Sequence, residues 1–163
     1  VKLIRKVSLA KWKQSLAIGP DHISADAVTA CLRTSNNTLS VWKSDSDEEY
    51  PKALLALVAS LTSIETIDVI TLTAEELDSN NLILESSPGE TIAEDYKGLH
   101  RDIVDLDHAA LKVVAELVKQ KVSDNQSTRL TKPILREMLK NAVKSGEVNP
   151  ESLPDKVRVE LLK

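Results

Sequence analysis

Aromatic residues are nearly missing from this chain: two Trp, two Tyr and no Phe stand among 163 residues. Its core must therefore be built from Leu, Val, Ile and Ala. The same scarcity excludes stacking platforms for single-stranded nucleic acid and aromatic cages for cationic ligands. A single cysteine, Cys31, rules out an internal disulfide framework and any Cys-rich zinc site. With only four glycines there is little material for a phosphate-cradling loop, and no Walker, dinucleotide-fingerprint or G-x-S-x-G sequence occurs. Long apolar runs are also missing. The longest, ALLALVA at 53–59, is far too short to span a bilayer. The first 19 residues carry positive charge without a continuous apolar stretch or a small-residue cleavage pattern, so no secretory signal is expected. A chain opening on Val1 rather than Met is expected to lack residues before it, and the expected compartment is the cytoplasm.

Charge is present in quantity but unevenly spread. Residues 1–43 carry seven Lys or Arg against two acids, a balance of +5. Residues 44–107 carry three against sixteen, or −13, and residues 108–163 carry eleven against seven, or +4. The formal net charge of −4 hides this segregation. An acidic middle that faces basic ends within one fold is the simplest reading, and it disfavours a broad DNA-binding face.

Periodicity predicts an α+β fold: a small mixed sheet of about four short strands packed with helices, then an all-helical C-terminal segment. The strands are KLIRKVSL near the start, half-buried with one wet face; TLSVWK at 38–43; IDVITLT at 67–73, β-branched on both faces and therefore central; and LILE at 82–85. Helices are predicted after Ser24 as cap, after Pro51 with Asp45 or Asp47 as cap, and as a single turn after Thr73. The turn-rich SSPGETIAEDYKG, 86–98, reads as a mobile loop. A long helix capped by Asp107 follows, SDNQS breaks it, and a second starts at Thr131 with Pro133 in its first turn and Gly146 at its end. NPESLPDKVRVELLK closes the chain as a short helix. Residues 1–107 are read as an α/β region and 108–163 as a helical region packed on the same domain.

One stretch concentrates chemistry-bearing groups. GLHRDIVDLDH, 98–108, holds His100, Asp102, Asp105, Asp107 and His108. Its His-Arg-Asp matches the opening of the protein-kinase catalytic loop, but Asp107 stands where the metal-binding Asn belongs and no partner motif exists. A metal reading is the alternative. In an extended strand, only His100 and Asp102 converge, sharing a face with Val104 and Leu106, and two ligands hold a metal poorly. The blander reading makes Asp107 a helix cap and Asp102 and Asp105 solvated positions of an edge strand. His22 sits in a turn, and Cys31, spaced with Ala27 and Val28, reads as a small core residue.

A second feature lies on the helix 131–145, where Lys132, Arg136, Lys140 and Lys144 recur every fourth residue, preceded by Arg129. Such a stripe suits phosphates, an acidic partner or the chain's own acidic middle. No constellation supports catalysis, and no cofactor or metal is expected. The sequence therefore reads as a non-catalytic interaction or regulatory module of a cytoplasmic prokaryotic protein, associating through its C-terminal helices with a partner or with itself. Alternatives are a nucleic-acid-associated protein using Arg129, Lys132, Arg136, Lys140 and Lys144, and a small metal-dependent hydrolase around His100 and Asp102. No membrane association is expected.

Overall fold

The structure, a computed structural model, describes all residues from Val1 to Lys163. Six strands form one sheet: β1 (Lys2–Val7), β2 (Leu39–Ser44), β3 (Ile67–Thr73), β4 (Ile83–Ser86), β5 (His100–Val104) and β6 (Ser127–Leu130). Their spatial order is β4-β5-β2-β1-β3-β6, and every neighbouring pair is antiparallel. Seven α-helices accompany them: α1 (Leu9–Ile18), α2 (Ala25–Cys31), α3 (Tyr50–Val58), α4 (Ala74–Ser79), α5 (His108–Ser123), α6 (Lys132–Ser145) and α7 (Asp155–Leu161). The α+β class is as the periodicity predicts.

Helices cover both faces of the sheet, and each face has its own aliphatic core. On one face Leu3, Val7, Val41, Leu72 and Ile103 of the strands meet Trp12 of α1, Ala27 and Cys31 of α2, and Val114 and Val118 of α5. On the other, Ile4, Trp42, Ile67 and Val69 meet Ala53 and Leu57 of α3, Leu135 and Leu139 of α6, and Val157 of α7. Alternate side chains of a strand point to opposite faces, so β1 sends Leu3 and Val7 one way and Ile4 the other. Leu3 and Ile4 are both fully buried. The wet face expected of β1 is present in part: Lys2 and Lys6 are exposed, while Ile4 between them is buried in the core under α3.

Several local signals act as the sequence predicts. Ser24 caps α2 by accepting from Ala27 N–H, and Asp107 caps α5 by accepting from Ala110 N–H at 2.8 Å. Thr73 and Glu76 form a reciprocal capping box at α4. Pro133 sits in the first turn of α6, and Gly146 ends it at φ +82°.

Other expectations are corrected. The sheet has six strands instead of about four and is antiparallel throughout instead of mixed. β6 lies within the stretch expected to be purely helical, and α1 occupies residues given no element from sequence. β3 is interior but flanks the edge strand β6, leaving the centre to β1 and β2. Neither Asp45 nor Asp47 caps α3; the cap position is Glu49, whose N–H donates to Ser46 Oγ. The 86–98 segment is packed into the fold: Thr91 and Ala93 are buried, Gly89 N–H donates to Lys97 C=O, and Glu94–Leu99 coils into a 3-10 helix. β5 is not an edge strand, since β4 pairs with its outer side. Leu106 leaves the face shared by His100 and Asp102, because Asp105 adopts φ +55° and breaks the alternation. Leu106 is buried in the core that holds Ile103.

Candidate functional site

Strand alternation puts His100 and Asp102 on one face of β5, as expected, and what they converge on is Ser87, just past β4. The Ser87 hydroxyl donates to Asp102 Oδ2 at 2.6 Å and lies 2.9 Å from His100 Nδ1. Ser40 Oγ donates to the other carboxylate oxygen at 3.2 Å. A hydroxyl has one proton, and the short contact commits it to Asp102. Nδ1 must then carry a proton and donate to Ser87 Oγ, with Ser87 C=O a second acceptor at 3.3 Å. His100 is only 8% exposed and meets Trp42 edge-to-face at 5.1 Å between ring centroids.

That order of groups decides the chemistry. A serine nucleophile needs an imidazole that takes its proton and a carboxylate that orients the imidazole. Here the hydroxyl stands between the other two, and the imidazole donates toward it. The three residues clasp the end of β4 to β5, and Gly89 closes the clasp. A Cβ at position 89 would lie 2.5 Å from Trp42 Cη2 and 2.7 Å from His100 Cβ, so only glycine fits against both rings. Ser87 and Gly89 were not singled out from the sequence; the Pro-Gly step between them was the available signal, and it reads equally well as an ordinary turn.

The remaining members of the 98–108 cluster disperse. Asp107 is spent on the α5 cap. His108 lines a groove with Asp21, Ile23 and Leu111, away from His100. Nowhere do three or more His, Cys, Asp or Glu side chains gather as a metal-holding group. Cys31 is buried among core residues, and its Sγ accepts from Ser8 N–H at 3.0 Å.

The basic residues of the C-terminal region fall into two sets. Arg129 projects from β6 and stands 3.8 Å from Asp68. Lys132 reaches Glu65 at 3.6 Å and Glu160 at 3.4 Å, and Arg136 donates to Glu160 Oε2 at 3.2 Å. These three are therefore engaged within the chain. The Glu160 carboxyl is held below its ordinary value, first by the hydrogen bond from Lys163 and also by the Lys132 charge. Lys140 and Lys144 are exposed on the outer side of α6 and join no ion pair.

A buried cation that sequence reasoning passed over is Lys119 of α5, 6% exposed. Its ammonium donates to the carbonyls of Gly19, Pro20 and His22. Three donors meet three acceptors, which satisfies the charge without a carboxylate. This is a structural staple across the α1–α2 turn.

No protein-family model, curated protein or solved structure matches the chain. No helix is long and apolar enough to cross a membrane.

Proposed function

We propose that this chain is a non-catalytic interaction module of a cytoplasmic protein, and that it pairs with a second copy of itself through the outer side of α6 and α7. One observation carries the reading. Of the six large hydrophobic side chains left exposed, three lie in this C-terminal region: Ile134, Val159 at 56% and Leu162. Exposed charges of both signs lie on the same two helices, Lys140 and Lys144 with Glu137 on α6 and Lys156 with Asp155 on α7. A two-fold interface sets one patch against its own copy, and a mixed patch complements itself where a single-sign patch would repel. Lys132 and Arg136 then serve to hold α6 against α7, and Arg129 to hold β6 against β3, while Lys140 and Lys144 meet the acids of the partner copy. The single buried thiol suits a reducing compartment.

Size-exclusion with light scattering tests this. A species of twice the 17.9 kDa chain mass is expected. The double variant Ile134→Asp/Val159→Asp should return the monomer with an unchanged circular dichroism spectrum. A wild-type chain that stays at 17.9 kDa at every concentration ends the reading.

A second reading rests on the unpaired Lys140 and Lys144, one helical turn apart: contact with a polyanion. It predicts retardation of duplex DNA at low salt, abolished in Lys140→Glu/Lys144→Glu. Those two positions are the informative ones, because reversing Lys132 or Arg136 would also break their bonds to Glu160.

A further inference from the structure

At the β4 end the sheet is unfinished in three respects. First, β4 is the outermost strand, and nothing pairs with its far side. A strand edge of this kind offers unpaired N–H and C=O groups to solvent. Second, the helical layer that covers the other strands on the Trp42 face does not reach it. There α3 lies over β1 and β2, and beyond it Ile83 remains 49% exposed, with Glu85 and Ser40 open as well. Third, a cavity of about 530 Å³ opens between α4 and β4, floored by Ala74, Leu77, Leu82 and Leu84 and rimmed by Glu75 and Asp78.

Charge says what would complete this edge. Glu85 stands directly opposite Asp102 in the β4–β5 register, on the same face as Ile83. Like charges directly across a strand pair destabilise it unless a cation answers them. None does. Asp78, Glu85 and Asp102 enter none of the ion pairs of the fold. Glu75 enters none of them either. Acids therefore flank the free edge on both sides of the sheet: Asp78 toward the cavity, Glu85 and Asp102 toward the bare face. Pairing β4 with β4 of another copy would set these acids against each other.

We infer that the β4 edge receives an extended segment of a partner protein in which apolar residues alternate with Lys or Arg, adding a seventh strand. Main-chain hydrogen bonds along β4 supply binding, and the apolar side chains, which share one face of the added strand, fall toward the α4 cavity. The lysines and arginines, on the opposite face of that strand, meet Glu85 and Asp102. The inference is independent of any association through α6 and α7.

The test uses the whole chain and a fluorescein-labelled peptide of alternating Val and Lys, roughly eight residues long to match a typical strand. Binding is expected by fluorescence anisotropy, weakening as salt rises. Amide shifts and new hydrogen-exchange protection should appear at residues 74–86. Affinity should fall about tenfold in Glu85→Lys, as charge reversal at a complementary contact does. Glu85→Gln, which leaves strand geometry intact, should lose less in the same direction. A Val–Glu peptide, and the Val–Lys peptide N-methylated at alternate amides, should not bind. Equal binding of either control, or amide shifts confined to α6 and α7, would overturn the proposal. So would a wild-type chain that polymerises alone and stops doing so on Arg129→Glu, since the edge would then belong to β6 of another copy.

Discussion

The two faces of the sheet settle their cations in opposite ways. Under α1, α2 and α5 two cations bond to the backbone instead of to a carboxylate: Arg5 donates to the carbonyls of Cys31 and Ser40, and Lys119 to those of Gly19, Pro20 and His22. Burial pushes the Arg5 guanidinium down to about 10, still well above neutrality. On the α3, α6 and α7 face the cations stay at the rim, where Lys132 and Arg136 share the Glu160 carboxylate. A buried charge has no water to return to when its partner goes, whereas a rim pair separates into solvent at little cost. The same residue type is thus structural on one face and nearly interchangeable on the other.

Lys119→Met should break this contrast most visibly. It strands three carbonyls that had shared one ammonium, and the expected loss is about 3 kcal/mol in urea unfolding. A loss below about 1 kcal/mol would mean that water substitutes freely and that the deep cation is no staple. Next comes Gly89→Ala, which forces a methyl against Trp42 and His100. Overpacking of this kind costs about 2 kcal/mol, and Trp fluorescence should shift with it. An unchanged spectrum and stability would show that the clasp around Ser87 relaxes easily. Lys132→Met, on the rim, should cost only about 0.5 kcal/mol. A cost matching that of Lys119→Met would erase the distinction between the faces.

The finest effect concerns pH. Tyr96 O–H donates to Glu147 Oε1 at 2.5 Å, and Ser145 Oγ donates to the other oxygen. The bonds from Ser145 and Tyr96 hold the Glu147 carboxyl below its ordinary range, so its contribution is present above pH 4.5 and fades as pH falls through the lower folded value. The Tyr96 hydroxyl, bonded to that carboxylate, is pushed up to about 12. Its contribution is complete below pH 10 and is lost between 10 and about 12. Thermal midpoints across these ranges should fall at both ends, and Tyr96→Phe should remove the alkaline decline between pH 10 and 12. An identical alkaline profile in that variant would exclude the Tyr96–Glu147 bond as its source.

Local grammar made much of the fold legible. Ser24, Asp107, Pro133 and Gly146 mark helix ends through backbone chemistry that acts within four residues, so they can be read without knowing the fold. β6 could not be read this way. Ser127–Leu130 is four residues long with a single buried side chain, and it becomes a strand only because β3 offers it a ladder. Tertiary pairing there overrides a weak local preference. The candidate site divides along the same line. Alternation alone brings His100 and Asp102 together, but Ser87 lies 13 residues before His100 and reaches it through the β4–β5 register. Asp105 shows the limit of alternation, since one left-handed residue sent Leu106 to the opposite face. The α6 stripe was visible as a spacing, whereas its division into engaged and free cations depends on where α7 sets Glu160.

The lysine staple also sets a timetable. Lys119 follows Gly19 by 100 residues, so while the chain emerges from a ribosome the turn after α1 has no cation to gather its carbonyls until α5 is made. Closing so long a span costs entropy before the contact returns anything, which slows folding. Until then the early segment, with Trp12 waiting for the side chains of α5, exposes the surface on which a nascent chain is most open to chaperones or to misassembly.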